Sequence, residues 1–308
     1  MIRAALLSLI LTAPAGAEGL AGQALCEAVW DGFREAVGAD WLTGRMRWYN
    51  DGWCVVEDVV YASDGGLDPE AHIDRLRYQG PAFAWALDDK TSPDWLRLEI
   101  EGLRLFARTG DPRMDWLLAA QAKPNRIDAR LAMSWDAEDK ELRTERLSVD
   151  FPGDSFVEFS ALVTGVELLP VDTFLDRVDK IAVRESELTL RTHGLFEDYL
   201  LTTLGPFVLP EDGDMEFAAK QLRRKLIEQA DELDRKNLPD TSKAALVAFV
   251  TELPNPSGTL RVSLQGNLGF NPYLAFFSWA WGMDASVVLT TGLQDTIVEI
   301  GWTNVDAL

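Results

Sequence analysis

The stretch Leu96-Arg97-Leu98-Glu99-Ile100-Glu101 alternates apolar and charged residues without a break. This period-two alternation is typical of a β-strand with one face in the core and the other in water. The pattern recurs at residues 127–135 and 147–151, and the intervening residues 136–141 are a short polar turn. Links this short can join only antiparallel neighbours. These segments therefore predict an antiparallel sheet.

Further elements flank this region on both sides. We predict more strands at residues 45–49 and 53–61 around an Asp51-Gly52 turn, at 156–166 after a Pro152-Gly153 turn, at 181–192 and 260–264, and in a closing hairpin within 285–302. Apolar residues at helical spacing predict helices at residues 20–37, 194–204, 214–236, 241–250 and 271–281, with Asp214 and Asp240 as N-caps of the third and fourth.

The fold predicted from these elements is α+β. We expect a curved, elongated antiparallel β-sheet of about ten strands, with helices packed on its apolar face. A single domain is expected over residues 18–308. If the chain divides, the seam is expected near residues 206–213, where a mostly β part gives way to a helix-rich part.

The first residues have the order of a secretory signal peptide. Met1-Ile2-Arg3 gives a charged start, residues 4–11 are apolar, and Ala15-Gly16-Ala17 supplies the small residues of a cleavage site. The apolar run is too short to span a bilayer, which takes about twenty residues. No later segment is both long and uncharged enough for a transmembrane span. We therefore expect a signal peptide at residues 1–17, cleavage after Ala17, and a periplasmic protein.

The two cysteines, Cys26 and Cys54, are an even number in a chain expected to be exported, which predicts a disulfide. The bond would join the helix at residues 20–37 to the hairpin that follows it. In the chain-entropy model, closing a loop of this length stabilises the fold by about 3.5 kcal/mol. The two residues are far apart in sequence, so we expect a structural bond and not a redox-active pair.

The charge of the chain argues against several functions. The 29 Lys and Arg residues face 50 Asp and Glu residues, and the formal net charge is −21. A chain this acidic repels phosphate backbones and anionic membrane surfaces in bulk, so no nucleic-acid partner is expected. Only two His residues are present, and phosphate-binding and nucleophile motifs are absent from the sequence. We predict no catalytic residue, no metal and no cofactor, while a carboxylate-based hydrolase stays an open alternative.

Two charged segments have alternative interpretations. Residues 64–70 are rich in the oxygen ligands that calcium takes, but a solvated acidic turn is favoured because the EF-hand spacing is absent. The helix at 214–236 carries four basic residues, Lys220, Arg223, Arg224 and Lys225. We expect them to be solvated and paired with Glu216, Glu228 and Glu232 at helical spacing. Docking to anionic lipid or an acidic partner is the alternative.

Aromatic residues crowd two places. Four tryptophans surround the predicted disulfide: Trp30, Trp41, Trp48 and Trp53. Five more aromatics lie in one short uncharged segment: Tyr273, Phe276, Phe277, Trp279 and Trp281. The second set is either plain core or an apolar site for a ligand or partner, because a sheet with one apolar face needs covering and an uncovered part would be a groove.

A strand, a glycine and an apolar helix follow one another at residues 188–196, Leu-Thr-Leu-Arg-Thr-His-Gly-Leu-Phe, and again at 260–277. With the rest of the order over residues 96–302, this resembles periplasmic proteins of Gram-negative bacteria and, in outline, AsmA-like envelope proteins. The resemblance implies an elongated β-groove associated with lipid handling. Thr192 stands where such proteins commonly have Asp, and no membrane anchor is seen in the sequence. No functional residue follows from the resemblance.

These observations together predict a non-catalytic exported protein that binds a lipid or other amphiphile in an apolar groove, or an envelope protein. The first alternative is a structural, protein-interaction module of the cell envelope with a filled core. The second is the carboxylate-based hydrolase, which would need two inward-facing carboxylates in a cleft.

Overall fold

A computed structural model of the chain describes residues 22–49, 51–62, 69–88, 93–167, 180–201, 212–232, 235–271, 293 and 295–304. The strands in this part of the chain are β1 Leu42–Trp48, β2 Cys54–Tyr61, β3 Pro69–Gln79, β4 Trp95–Ala107, β5 Ile127–Asp136, β6 Glu141–Asp150, β7 Phe156–Thr164, β8 Ala182–Thr192, β9 Gly258–Phe270 and β10 Thr296–Asn304. The helices are α1 Gln23–Val37, α2 Pro81–Asp88, α3 Pro112–Ala122, α4 Met215–Glu232 and α5 Asp240–Glu252, with a π-helical turn at Phe196–Leu200.

The described strands form one antiparallel sheet that is not closed. Each strand neighbours the next one along the chain, so the order is β1 to β10 without a crossover. The short links from β1 to β2, from β5 to β6 and from β6 to β7 can join only antiparallel neighbours. The predicted α+β class, with about ten antiparallel strands, is confirmed.

The chain divides into two compact units. The first contains residues 1–137, 144–152 and 168–175, and the second contains 138–143, 153–167 and 176–308. The first unit thus holds α1 to α3 and β1 to β5, and the second holds β7 to β10 with α4 and α5. The seam that we predicted near residues 206–213 stays a prediction, because residues 202–211 lie outside the described part of the chain.

The core of the first unit lies where α1 and α2 pack on β1 to β3. Its buried residues are Cys26, Val29, Trp30, Cys54, Val56, Val59, Tyr78 and Leu87. Gly44 on β1 allows this close packing, since a Cβ there would lie 2.6 Å from Val56 and 3.1 Å from the Trp30 ring.

The opposite face of these strands is charged. Glu99 and Glu101, from the alternating stretch on β4, pair with Arg77 at 2.8 Å and Arg75 at 3.2 Å on β3. The Arg75–Glu101 pair is exposed, and exposed pairs stabilise a fold by about 1 kcal/mol or less. These charged side chains keep one face of the sheet solvated, as the alternation predicts.

The first hairpin has the predicted turn. Gly52 adopts a φ of +85°, which suits glycine, and its N–H donates to the Tyr49 carbonyl at 3.0 Å. The Trp53 N–H donates to the Asp51 carboxylate at 3.3 Å. The turn brings Trp48 and Cys54 into register, so Cys54 faces α1.

One predicted helix cap is confirmed and the other is wrong. The Asp214 carboxylate accepts a hydrogen bond from the Phe217 N–H at 3.0 Å, which caps the start of α4. Asp240 does not cap α5, because the helix begins at Asp240 itself and the Pro239 carbonyl accepts its first bond, from the Lys243 N–H at 2.9 Å. The Asp240 carboxylate pairs instead with Arg235 at 3.1 Å.

Candidate functional site

An uncharged face runs across four strands of the second unit. Phe159 on β7 pairs with Leu188 on β8, Leu188 pairs with Val262 on β9, and Val262 pairs with Ile300 on β10. Side chains at paired positions share one face of a sheet. All four are only half-buried.

The rows on either side of this one continue the same face. They are Ala161, Ser186, Leu264 and Val298 on one side, and Val157, Leu190, Leu260 and Trp302 on the other. We call these twelve positions the apolar strip. Ser186 is the only polar residue among the twelve, and none of them is charged.

Helix α5 covers one end of the apolar strip. Phe249 packs edge-on against Trp302, with ring centroids 5.1 Å apart. Leu190 and Leu260, in the Trp302 row, are 9% and 8% exposed. The central row is more exposed than this, so the strip is closed at one end and partly accessible beyond it.

A cleft of about 620 Å³ lies along the same strands. On the sheet it is lined by Leu188, Val262 and Ile300 of the central row and by the residues on either side of them, Glu187, Thr189, Arg261, Ser263, Glu299 and Gly301. Pro239, Thr241 and Ser242 complete its lining. The six residues on either side of the central row occupy two cross-strand rows on the face opposite Leu188. In the sheet register, Glu187 on β8 and Glu299 on β10 both lie opposite Ser263 on β9.

The edge of β10 that faces away from β9 is hydrogen-bonded to the segment that leads into α5. The Val298 N–H donates to the Asn237 carbonyl at 2.8 Å, and the Ile300 N–H donates to Ser242 Oγ at 3.0 Å. The Asn237 amide donates in turn to the carbonyls of Thr296, at 2.8 Å, and Leu293. These bonds satisfy an edge that would otherwise pair with another chain.

The aromatic site predicted at Tyr273, Phe276, Phe277, Trp279 and Trp281 lies outside the described residues. Its place in the sequence is still informative, because the chain that joins β9 to β10 contains all five. Both of those strands contribute to the apolar strip. The predicted signal peptide, residues 1–17, also lies outside the described part of the chain.

The predicted disulfide between Cys26 and Cys54 is confirmed, with 5.4 Å between the Cα atoms. Both cysteines are buried in the core of the first unit. The Tyr78 hydroxyl lies next to the bond and donates to the Cys26 carbonyl at 2.7 Å. The surroundings are those of a structural bond, since a reactive cysteine needs exposure and an electropositive neighbour.

Both histidines are held in local structure. His72 Nε2 lies 2.6 Å from the Glu70 carboxylate, and its ring packs edge-on against Phe106. The backbone N–H of His193 donates to Ser155 Oγ at 2.8 Å. Glu70, the last residue of the acidic 64–70 segment, also pairs with Arg108 at 3.4 Å.

The basic run on α4 is partly paired as predicted. Lys220 pairs with Glu216 at 3.3 Å and Arg224 with Glu228 at 3.6 Å, both at a spacing of four. Arg223 instead donates to the Leu253 carbonyl at 2.9 Å, just after α5 ends. Cations are favoured at the negative end of a helix dipole, so this arginine contributes to holding α4 against α5.

Within the described ranges, no group of three or more His, Cys, Asp or Glu side chains is placed to hold a metal. No described helix is both long and apolar enough to cross a bilayer. No protein-family model matches the chain, and no curated protein matches it either. The similarity to AsmA-like proteins stays a resemblance of sequence pattern.

Proposed function

We propose that this chain is a non-catalytic, exported periplasmic protein that binds a lipid or another amphiphile on the apolar strip. The observation that carries the proposal is the central row of the strip, four apolar side chains in register that are only half-buried. Large apolar surfaces left partly open on a folded protein mark sites for ligands or partners. An acyl chain matches such a surface because it needs no polar partner.

The order of the chain also supports this proposal. The five aromatics between Tyr273 and Trp281 lie in the link between β9 and β10. The link ends at Thr296, two residues before Val298 of the strip, and it starts after Phe270, six residues beyond Leu264. Aromatic side chains add large contact areas to apolar sites. We propose Phe277 and Trp279 as the first residues of this segment to test.

The test is native mass spectrometry of the protein purified from a periplasm, followed by organic extraction of anything bound. We expect a reproducible adduct of lipid mass. The mass of the bare chain also tests export and oxidation, since it should equal residues 18–308 less two hydrogens. A bare mass with no adduct after gentle purification would contradict amphiphile binding and favour the interaction module.

A matched pair of variants connects the adduct with the strip. Ser186→Gln places a bulky amide on the strip, whereas Ser263→Gln places the same amide on the opposite face of the neighbouring strand. Both serines are half-buried. Because an unpaired amide in an apolar site is costly, we expect Ser186→Gln to weaken binding about tenfold and Ser263→Gln to leave it unchanged. Equal effects of the two variants would show that the amphiphile does not bind on the apolar strip.

A further inference from the structure

Helix α3, in the first unit, presents apolar residues to solvent. Trp116 is 68% exposed, Leu117 is 47% exposed and Met114 is 45% exposed. The side that turns toward the sheet, where α3 packs on β4, carries Asp115, Leu118, Ala119 and Ala122. A surface helix normally turns its polar residues to solvent, whereas the outer face of α3 turns large apolar residues to solvent.

The carboxylates of this helix are held at its start. Asp111 accepts hydrogen bonds from the N–H groups of Arg113 at 2.8 Å and Met114 at 3.1 Å. Asp115 accepts from the Thr109 N–H at 2.7 Å and from its hydroxyl at 2.8 Å. Because these bonds turn both carboxylates toward the N-terminal end, the outer face of α3 is left with apolar and basic groups.

Basic residues flank the exposed apolar group. Residues 104–126 contain five Lys and Arg and two Asp, which gives 5 − 2 = +3 in a chain whose net charge is −21. Glu70 and Asp74 pair with three of these arginines, Arg104, Arg108 and Arg126, and including both carboxylates gives 5 − 4 = +1. The other two cations, Arg113 and Lys123, are exposed and have no ion-pair partner within the described part of the chain.

We propose that α3 docks this protein on the surface of an anionic phospholipid bilayer, with Trp116 and Leu117 in the boundary between headgroups and acyl chains. Arg113 and Lys123 would lie against lipid phosphates. Tryptophan is enriched at this boundary because its ring is apolar and its N–H finds a polar partner there. Basic residues beside an apolar group add attraction to anionic lipid, and this complementarity selects a bilayer over a neutral apolar partner.

The test is flotation of the full exported protein with two kinds of vesicle. One contains equal parts of phosphatidylglycerol and phosphatidylcholine, and the other contains phosphatidylcholine alone. We expect binding to the first kind, decreasing with salt, and much weaker binding to the second. The double variant Trp116→Ser with Leu117→Ser should bind the anionic vesicles about tenfold more weakly or worse, because both side chains lose their apolar burial.

Two matched variants separate the contributions. Phe217→Ser on α4 removes another aromatic that is 60% exposed, and it should leave binding unchanged. Arg113→Gln with Lys123→Gln should reduce binding to anionic vesicles and flatten its salt dependence. All of these side chains are exposed, so unchanged circular dichroism is expected for every variant.

The proposal is overturned if the wild-type protein does not float, or if the Trp116 and Leu117 variant floats equally well. It is also overturned if these residues instead mediate a concentration-dependent dimer that sediments without lipid. Vesicle docking does not depend on the apolar strip. The Ser186→Gln variant should therefore bind its amphiphile about tenfold more weakly and keep its vesicle binding, which distinguishes a failure of one proposal from a failure of the other.

Discussion

The two compact units each place a helix beside a terminal strand of the sheet, but they hold that helix by different chemistry. In the first unit, α1 is fixed on β1 and β2 by a disulfide and by buried residues such as Val29 and Trp30. In the second unit, Phe249 of α5 packs on Trp302 of β10, and hydrogen bonds add to the hold of α5 on this strand. Ser242 Oγ accepts from the Ile300 N–H, and the Glu252 carboxylate accepts from the Trp302 indole at 3.0 Å.

This difference predicts where each unit is sensitive to change. Apolar packing in the first unit is spread over many contacts, and the disulfide stabilises mainly by constraining the unfolded chain. The contact of α1 with β1 and β2 therefore tolerates small displacements of single side chains. A hydrogen-bonded closure depends on single donor and acceptor atoms, because a buried group that loses its partner costs the full desolvation energy. In the second unit, replacing a single polar residue should therefore be enough to expose the edge of β10.

The largest expected effect is on the first unit. Replacing both Cys26 and Cys54 by Ser should lower the free energy of unfolding by about 3.5 kcal/mol, because the loop they close has a sequence separation of 28 residues. Urea denaturation followed by tryptophan fluorescence measures this loss. Reduction of the wild-type protein should reproduce it. A loss below about 1 kcal/mol would show that packing alone closes the first unit.

A single side chain should produce the next largest effect, in the second unit. Asn237 is buried and donates to two carbonyls that shape the start of β10. The Asn237→Leu variant leaves both carbonyls without this donor, so we expect a loss of about 2 to 3 kcal/mol.

Hydrogen exchange of the β10 amides, including that of Val298, should increase in the Asn237→Leu variant. The matched control is Asn255→Leu, since Asn255 is exposed in the same unit. Equal stabilities of the two variants would contradict the view that polar bonds close the second unit.

Regular alternation made much of the sheet predictable from the sequence. It marks β4, β5, β6, β8 and β9, whereas β7 was predicted from the Pro152-Gly153 turn before it. Strand β3 was not predicted, because its alternation of apolar and polar residues is interrupted in the middle of the strand. Ile73 and Leu76 both pack on the core although they are three residues apart. Their partners on β2, Val59 and Val56, shift by the same three residues around Asp58, which has a φ of +51°.

Helices α2 and α3 were also not predicted, since one is short and the other lacks the usual periodicity. The outward face of α3 is apolar, so no amphipathic pattern appears in its sequence. A local signal was nevertheless present, because Asp111-Pro112 has the N-cap and first-position proline typical of a helix start.

The candidate site could be predicted only strand by strand. Leu188 and Val262 were assigned to strands from their alternation, but the row that they form with Phe159 and Ile300 depends on the pairing of four strands. Pairing over long sequence separations is not encoded in any single stretch. The aromatic site predicted at residues 273–281 stays a prediction.

The smallest expected effect concerns the hydrogen bond from the Tyr78 hydroxyl to the Cys26 carbonyl, in the core of the first unit. Burial raises the pKa of the Tyr78 phenol, and the negative charge of Asp31 adds to the rise. The folded protein thus keeps this proton at a pH where the unfolded chain, with a pKa of about 10, has lost it. The stabilisation is complete below pH 10 and decreases above it, by up to about 1.4 kcal/mol per pH unit.

The Tyr78→Phe variant lacks both the hydrogen bond to Cys26 and this titration. At pH 7 it should be about 1 kcal/mol less stable than the wild-type protein, and the difference should vanish near about pH 11, because only the wild-type protein is destabilised by deprotonation of this residue in the unfolded chain. Urea denaturation between the two pH values measures the crossing, with the exposed Tyr49→Phe as control. Parallel curves for Tyr78→Phe and the wild-type protein would mean that water reaches the phenol, and the first unit would then be closed less tightly than its disulfide and its packing imply.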